Sequence, residues 1–263
     1  MDFTFTNNGL PVQAQFTSEN VESIFLPLLR GLTEMQKEKS RRILVLLAAP
    51  PGAGKSTLAA FWRELSLTAP ELHPLTVIGM DGFHRRQEYL LSHTVERNGE
   101  PLPMVKIKGA PETFDLDLLR RAVQQVASGE NCGWPVYDRL LHDPRENAIR
   151  VEGDLVLLEG NYLLLDRNGW RDLCSLADYT ISLRADLSLL RERLIARHIA
   201  SGKSPEDASA FVDSSDLPNA RLCLDCSLPA DLTLSLRPDN SFEQQHIRRS
   251  HDVGYTESQI SGA

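Results

Sequence analysis

Between Ile43 and Thr57 an apolar run passes directly into a glycine-rich turn that ends in Lys55-Ser56-Thr57. Ile43–Ala48 is apolar throughout and is bounded by Arg42 and by Pro50-Pro51, as expected of a strand buried on both faces. Leu58 to Leu65 continues with helical character. Between them stands Ala49-Pro-Pro-Gly52-Ala-Gly54-Lys55-Ser56, close to the phosphate-loop pattern that ends in Gly-Lys-Ser/Thr. Glycines let successive backbone N–H groups converge on an anion with no Cβ in the way, and the following helix N-terminus adds about half a positive charge. The residues expected to bind the nucleotide are Gly52, Ala53, Gly54, Lys55, Ser56 and Thr57. Lys55 would face the β- and γ-phosphates and the Ser56 hydroxyl would ligate Mg²⁺. The strict pattern opens with glycine, where this chain has Ala49; alanine, the smallest substitute, is tolerated if φ stays negative there.

The 263 residues suffice for one large α/β domain with a lid or small appendage. A net charge of −8 gives no support to a nucleic-acid partner, although a basic phosphate pocket can sit on an acidic protein. The longest apolar runs, Ile43–Pro51 and Leu155–Leu165, are too short to span a bilayer, and the first residues do not read as a signal peptide. Of Cys132, Cys174, Cys223 and Cys226, only the last two form Cys-x-x-Cys; one such pair without further partners reads as structural, and a reduced, cytoplasmic setting is expected.

Three units are expected along the chain. Residues 1–40 hold a β-hairpin turning at Asn8-Gly9 and a helix over 18–39 that Pro27 kinks; the hairpin offers an edge through which two copies could pair as a homodimer. Residues 41–236 alternate strands, at 43–48, 75–80, 155–159, 178–183 and 220–226, with helices, at 55–66, 115–128, 186–201 and 204–213. This rhythm implies a mainly parallel sheet covered on both faces. Residues 237–263 lose the rhythm and read as a frayed tail or a docking segment.

Phosphoryl transfer needs a phosphate cradle, Mg²⁺, an oriented acceptor hydroxyl and cations to balance charge. Val77–Asp81 delivers Asp81 to the C-terminal end of a strand, where ligands bind in parallel α/β sheets; from there it could accept a proton from a substrate hydroxyl. His84, three residues on, reads equally as a substrate contact or a surface histidine. Leu155–Glu159 brings a second acid to the same edge, suited to Mg²⁺. Arg191, Arg193 and Arg197 lie on one helix, either as a solvated face or as cations that close over the phosphates. Trp134–Asp143 reads as a polar, aromatic loop suited to a polyhydroxyl acceptor.

With these pieces in order, the chain resembles the P-loop kinase group containing uridine kinase, pantothenate kinase and phosphoribulokinase. The matching elements are Ala49–Thr57, Asp81-Gly-Phe-His84, Pro135-Val-Tyr-Asp138, Leu158-Glu-Gly160 and the arginine-bearing helix. Within the group, Lys108–Asp115, Leu158–Leu163 and Asp216–Asn219 are most similar to bacterial nucleoside/nucleotide kinase-like proteins described as fructose transport system kinases. The resemblance spans about residues 10–236. It implies a P-loop NTPase fold of class α/β, with a five-stranded parallel sheet, helices on both faces and a small lid. It also implies ATP and Mg²⁺, with Asp81 as catalytic base, Glu159 as the second-strand acid, Arg193 or Arg197 as the lid arginine, and Tyr137 and Asp138 in the acceptor region.

A GTPase would carry Asn-Lys-x-Asp, and here no asparagine precedes a lysine. The Leu-Ser-Gly-Gly-Gln signature of a transporter ATPase is also missing. A nucleotide-binding regulator is the remaining rival. The expectation is therefore an ATP-dependent kinase acting on a hydroxyl of a small sugar- or nucleoside-type metabolite, with no nucleic-acid or membrane partner.

Overall fold

The apolar run after Arg42 becomes the inner strand of a sheet whose two faces are both covered. The computed structural model describes residues 1–7, 10–97, 99–138 and 141–245, with Thr6, Asn7, Leu10 and Pro11 described in backbone alone. Its strands are β1 (Asp2–Asn7), β2 (Leu10–Gln15), β3 (Ile43–Ala48), β4 (Leu75–Gly79), β5 (Thr94–Arg97), β6 (Glu100–Pro103), β7 (Cys132–Asp138), β8 (Asp143–Val151), β9 (Leu155–Gly160), β10 (Tyr179–Ala185), β11 (Leu232–Leu236) and β12 (Phe242–Gln245). Its α-helices are α1 (Ser18–Asn20), α2 (Leu26–Lys39), α3 (Lys55–Thr68), α4 (Gln87–Ser92), α5 (Leu116–Ala127), α6 (Arg171–Cys174), α7 (Leu187–Ala200), α8 (Pro205–Phe211) and α9 (Leu217–Asp225).

The main sheet has the order β12-β11-β10-β3-β9-β4. Five strands run parallel, and β12 adds an antiparallel edge to the five expected. Side chains alternate across β3: Ile43, Val45 and Leu47 enter a core shared with α3, whereas Leu44, Leu46 and Ala48 enter a second core shared with α5. All six are buried, which is why the strand reads as an unbroken apolar run. The order of connections reverses direction at β3, so its C-terminal end lies at a topological switch point, where α/β sheets bind ligands.

The expected strand at 220–226 is instead part of α9. Asn219, Ala220 and Cys223 are its buried residues, a helical spacing that an apolar reading of 220–228 overlooks. The fifth parallel strand is β11. Two prolines explain why both long helical segments change pitch. A π-helical turn, Val21–Phe25, precedes Pro27, and another, Val212–Asp216, precedes Pro218. Proline has no N–H to donate and its ring crowds the carbonyl four residues back; the wider turn just before it relieves the crowding without ending the helix.

β1 and β2 pair antiparallel as expected, with Asp2 opposite Gln15; the turn at Asn8-Gly9 lies outside the described residues. The hairpin rests on α3, where Phe3 meets Phe61 edge-on at 5.3 Å and Phe16 stacks on Phe61 at 4.0 Å. The segment expected as a tail is partly folded: β12 completes the sheet and Phe242 is buried. The Asn20 side-chain amide donates to the Phe242 carbonyl at 2.8 Å and accepts from its N–H at 2.9 Å, joining the N-terminal unit to this edge. Residues 246–263 lie outside the described residues.

Candidate active site

The glycine-rich turn leaves β3 and enters α3 with Gly52 at φ +85° and Gly54 at φ +84°, the left-handed region that glycine adopts without strain. A Cβ on Gly52 would lie 2.9 Å from the Leu194 side chain, so α7 packs directly against the turn. Ala49 is outside the set of residues with positive φ, so its methyl is accommodated where the strict motif has glycine.

From this turn Lys55 and Ser56 both reach β9. The Ser56 hydroxyl donates to Glu159 Oε1 at 2.8 Å, and Lys55 Nζ lies 4.0 Å from Glu159 Oε2. β4 lies alongside, and Gly79 keeps its place free, since a Cβ there would sit 3.2 Å from Glu159 Oε1. Glu159 has only 13% of its side chain exposed. Burial raises its carboxyl above the usual carboxylate range; Asp81 pushes in the same direction, while Lys55 and the Ser56 hydrogen bond oppose it. A buried carboxylate and a hydroxyl 2.8 Å apart are hard oxygen donors, and a cation beside them would offset the burial of the charge. This donor set fits Mg²⁺, which binds through one or two carboxylates and substrate phosphates rather than an all-protein cage. Among the described residues no group of three or more His, Cys, Asp or Glu forms such a cage.

Asp81 stands just past the end of β4, in the short 3₁₀ turn Met80–Phe83. His84 follows, its ring stacked on Phe114 at 3.9 Å and edge-on to Tyr137 at 5.2 Å. The structure thus brings Asp81, Glu159, Lys55, Ser56, His84 and Tyr137 to one end of the sheet. The expected loop at 134–143 is mostly the β7–β8 hairpin, with its Trp134 indole donating to the Gly79 carbonyl at 2.8 Å. Asp138 accepts from the Leu141 N–H at 3.1 Å.

Lys108 is a site residue that sequence reading left without a role. Its Nζ donates to Gln87 Oε1 at 2.7 Å and to the His142 carbonyl at 3.2 Å, and sits 5.1 Å from the centre of the Tyr137 ring. Burial lowers the pKa of its ammonium, against the pull of Asp143. The available signal was the half-apolar run Lys106–Gly109 before a Pro-Glu-Thr turn, which says nothing about where the lysine points. Tyr162 closes the same region, donating to the Gly109 carbonyl at 2.6 Å.

The arginines divide. Arg191 pairs with Asp213 at 2.7 Å, and Arg197 lies 3.9 Å from Asp216. Arg193 turns toward the phosphate loop: its Nη1 is 3.8 Å from where a Cβ on Gly54 would sit, and it donates to Asn240 Oδ1. Cys223 is buried, and burial pushes its thiol up to about 12, so it is a thiol rather than a thiolate at neutral pH.

His84 makes a pH prediction. Burial lowers its pKa from the ordinary 6.5; Asp81 and a backbone hydrogen bond at Thr113 oppose the shift, and Lys108 adds to it. Among the described residues its Nδ1 is buried without a hydrogen-bond partner. The unfolded chain therefore binds the proton first, and stability falls as pH drops below 6.5 toward the folded value. In urea unfolding between pH 7 and 5, His84→Gln should have a flatter stability profile than the unaltered protein, by up to about 1.4 kcal/mol per pH unit. Parallel profiles would mean that His84 titrates normally.

A parallel sheet of this order, with a phosphate loop after its central strand and carboxylates ending two neighbouring strands, has the fold of a P-loop kinase. The chain belongs to the phosphoribulokinase/uridine kinase family, whose model matches residues 44–227. It is 41% identical over 243 residues to the uncharacterized protein YggC of Escherichia coli K12, covering 92% of this chain and 98% of that one. It is 34% identical over 186 residues to C227.14 of Schizosaccharomyces pombe, a proposed uridine kinase, covering 68% of this chain and 77% of the relative. Among solved structures, a proposed fructose transport system kinase from Silicibacter sp. TM1040 matches with a TM-score of 0.66 and 35% identity, covering 78% of this chain and 98% of that one. Among the described residues no helix is long and apolar enough to cross a membrane.

Proposed function

We propose that this protein is an ATP-dependent kinase that transfers the γ-phosphoryl group to a hydroxyl of a small sugar- or nucleoside-type metabolite. The observation that carries the reading is the convergence of Lys55 and Ser56 on Glu159 beside Asp81, at the sheet end where the phosphate loop opens. The names of relatives agree with it, since they include uridine kinase and pantothenate kinase. Lys55 offsets negative charge on the transferring group, and the loop N–H groups hold the phosphates. Ser56 and Glu159 would hold Mg²⁺, which when bound supplies charge neutralisation across the β- and γ-phosphates. Asp81 takes the proton of the acceptor hydroxyl as its oxygen attacks, and His84, Tyr137 and Lys108 line the approach. Arg193 flanks the loop on the other side, and Arg197, one turn further along α7, would serve a closed form.

The test is ADP release with Mg²⁺-ATP across a panel of sugars, nucleosides and pantothenate. One acceptor class should stimulate release. Asp81→Asn should lower that stimulated rate by about 10²–10⁴-fold while ATP affinity stays within about twofold. An undiminished rate in Asp81→Asn would remove the base role, and ATP binding without stimulation by any acceptor would favour a regulatory nucleotide-binding protein.

A further inference from the structure

A cavity of about 720 Å³ opens beside the phosphate loop, and its lining includes Gly54 and Thr57 but not Lys55, Glu159 or Asp81. That volume lies within the range of small-molecule sites, about 300–1,000 Å³. Two unlike surfaces enclose it. Arg193 and Asn240, hydrogen-bonded to each other, contribute a planar cation and an amide that can both donate and accept. Beside polar residues that include Thr4 and Gln13, the N-terminal hairpin contributes apolar Phe3, Val12 and Ala14. These three share one face, because Phe3 pairs with Ala14 and Phe5 with Val12 directly across the hairpin. It is the inward face, since the Phe3 ring meets Phe61 of α3.

A phosphate chain held by Gly52–Ser56 must continue into whatever the phosphates are attached to, and this cavity adjoins the cradle at Gly54 and Thr57. A flat apolar surface and a guanidinium are the two kinds of face on which a nucleobase stacks. We infer that the hairpin is a wall of the donor-nucleotide site, with the purine base of the donor against Phe3, Val12 and Ala14 and the Arg193 guanidinium lining the same cavity. The inference rests on the kinase reading above and extends it to residues outside the phosphate loop. It also gives a purpose to the Asn20–Phe242 clamp, which holds the N-terminal unit in fixed relation to the Arg237–Asn240 turn that carries the amide.

The test compares ATP with inorganic tripolyphosphate, which has the phosphates and no nucleoside, by calorimetric titration in Mg²⁺. Ala14→Leu fills the cavity from the hairpin side and should weaken ATP at least tenfold while tripolyphosphate stays within twofold. Equal loss for both ligands, or loss for neither, overturns the inference. Should Ala14→Leu fail to fold, the methyl resonances of Val12 and Ala14 in the unaltered protein decide. Shifts with ATP and none with tripolyphosphate support the wall; shifts with neither, or equal shifts with both, overturn it. Failure of the kinase reading looks different, because the unaltered protein would then show no acceptor-stimulated ADP release, whatever Ala14→Leu does to ATP affinity.

Discussion

Lys55→Ala is expected to lower acceptor-stimulated ADP release by about 10²–10³-fold, the usual effect of removing one preorganised group that meets charge developing in a transition state. The fold should survive at a cost of about 1 kcal/mol, because the charge stranded by the substitution can discharge itself. Glu159 keeps its hydrogen bond from Ser56 and loses the cation that opposed the effect of burial. Its carboxyl then moves further up, which makes the neutral form easier to reach. The sign of the pH effect follows. A carboxyl whose folded pKa is raised contributes stability that is present at low pH and lost as pH rises through the folded value. The stability deficit of Lys55→Ala should therefore widen as pH rises above the ordinary carboxylate range, in thermal unfolding followed by calorimetry. A variant with full turnover would dismiss Lys55 from the chemistry, and a deficit independent of pH would mean that Glu159 does not respond to it.

Gly82→Ala should have the second large effect, through geometry rather than charge. Gly82 is buried in the 3₁₀ turn between Asp81 and Phe83, and a Cβ there would lie 2.1 Å from the Pro135 carbonyl oxygen and 2.4 Å from its carbon. Both atoms are backbone, so no side-chain rotation relieves the clash and β7 must move away from the turn. That motion would carry Tyr137 away from His84 and strain the bond from Trp134 to the Gly79 carbonyl. The expected cost is about 3 kcal/mol, at the upper end for overpacking. The phosphate loop belongs to β3 and α3, so ATP should still bind at temperatures where the variant is folded, with acceptor-dependent turnover reduced the more. Equal loss of ATP binding and acceptor turnover would mean that the turn supports the whole site; normal unfolding in urea would mean that β7 yields freely.

The parts of the site legible in the sequence are those set by local chemistry. An unbroken apolar run needs both faces covered, and a glycine-rich turn before Lys-Ser has few uses other than binding an anion, so β3 and the loop were readable from one segment. Glu159 and Asp81 were readable because each closes an apolar run. The role of Lys108 depends on Tyr137 and on the turn at His142, which approach it only after β7 and β8 have paired. Arg193 and Arg197 look alike as letters one helical turn apart, and only the packing of α7 against Gly52 turns one of them toward the loop. Residues 220–226 read as a strand because a short apolar run suits a buried strand and a buried helix alike, whereas the widened turn before Pro218 carries the helix into it. β12 escaped notice because only Phe242 of its four residues is buried, and a half-exposed edge strand has little apolar pattern to show.

The clamp between Asn20 and Phe242 links positions 222 residues apart in the sequence. During synthesis the N-terminal aromatic residues emerge long before the ring that packs beside them. Phe16 and Phe25, at 6.2 and 5.4 Å from the Phe242 ring, must wait with one side uncovered until the sheet edge is translated. Contacts of such long range close late, after the local strand–helix units have formed. A segment made early is thus among the last to be sealed.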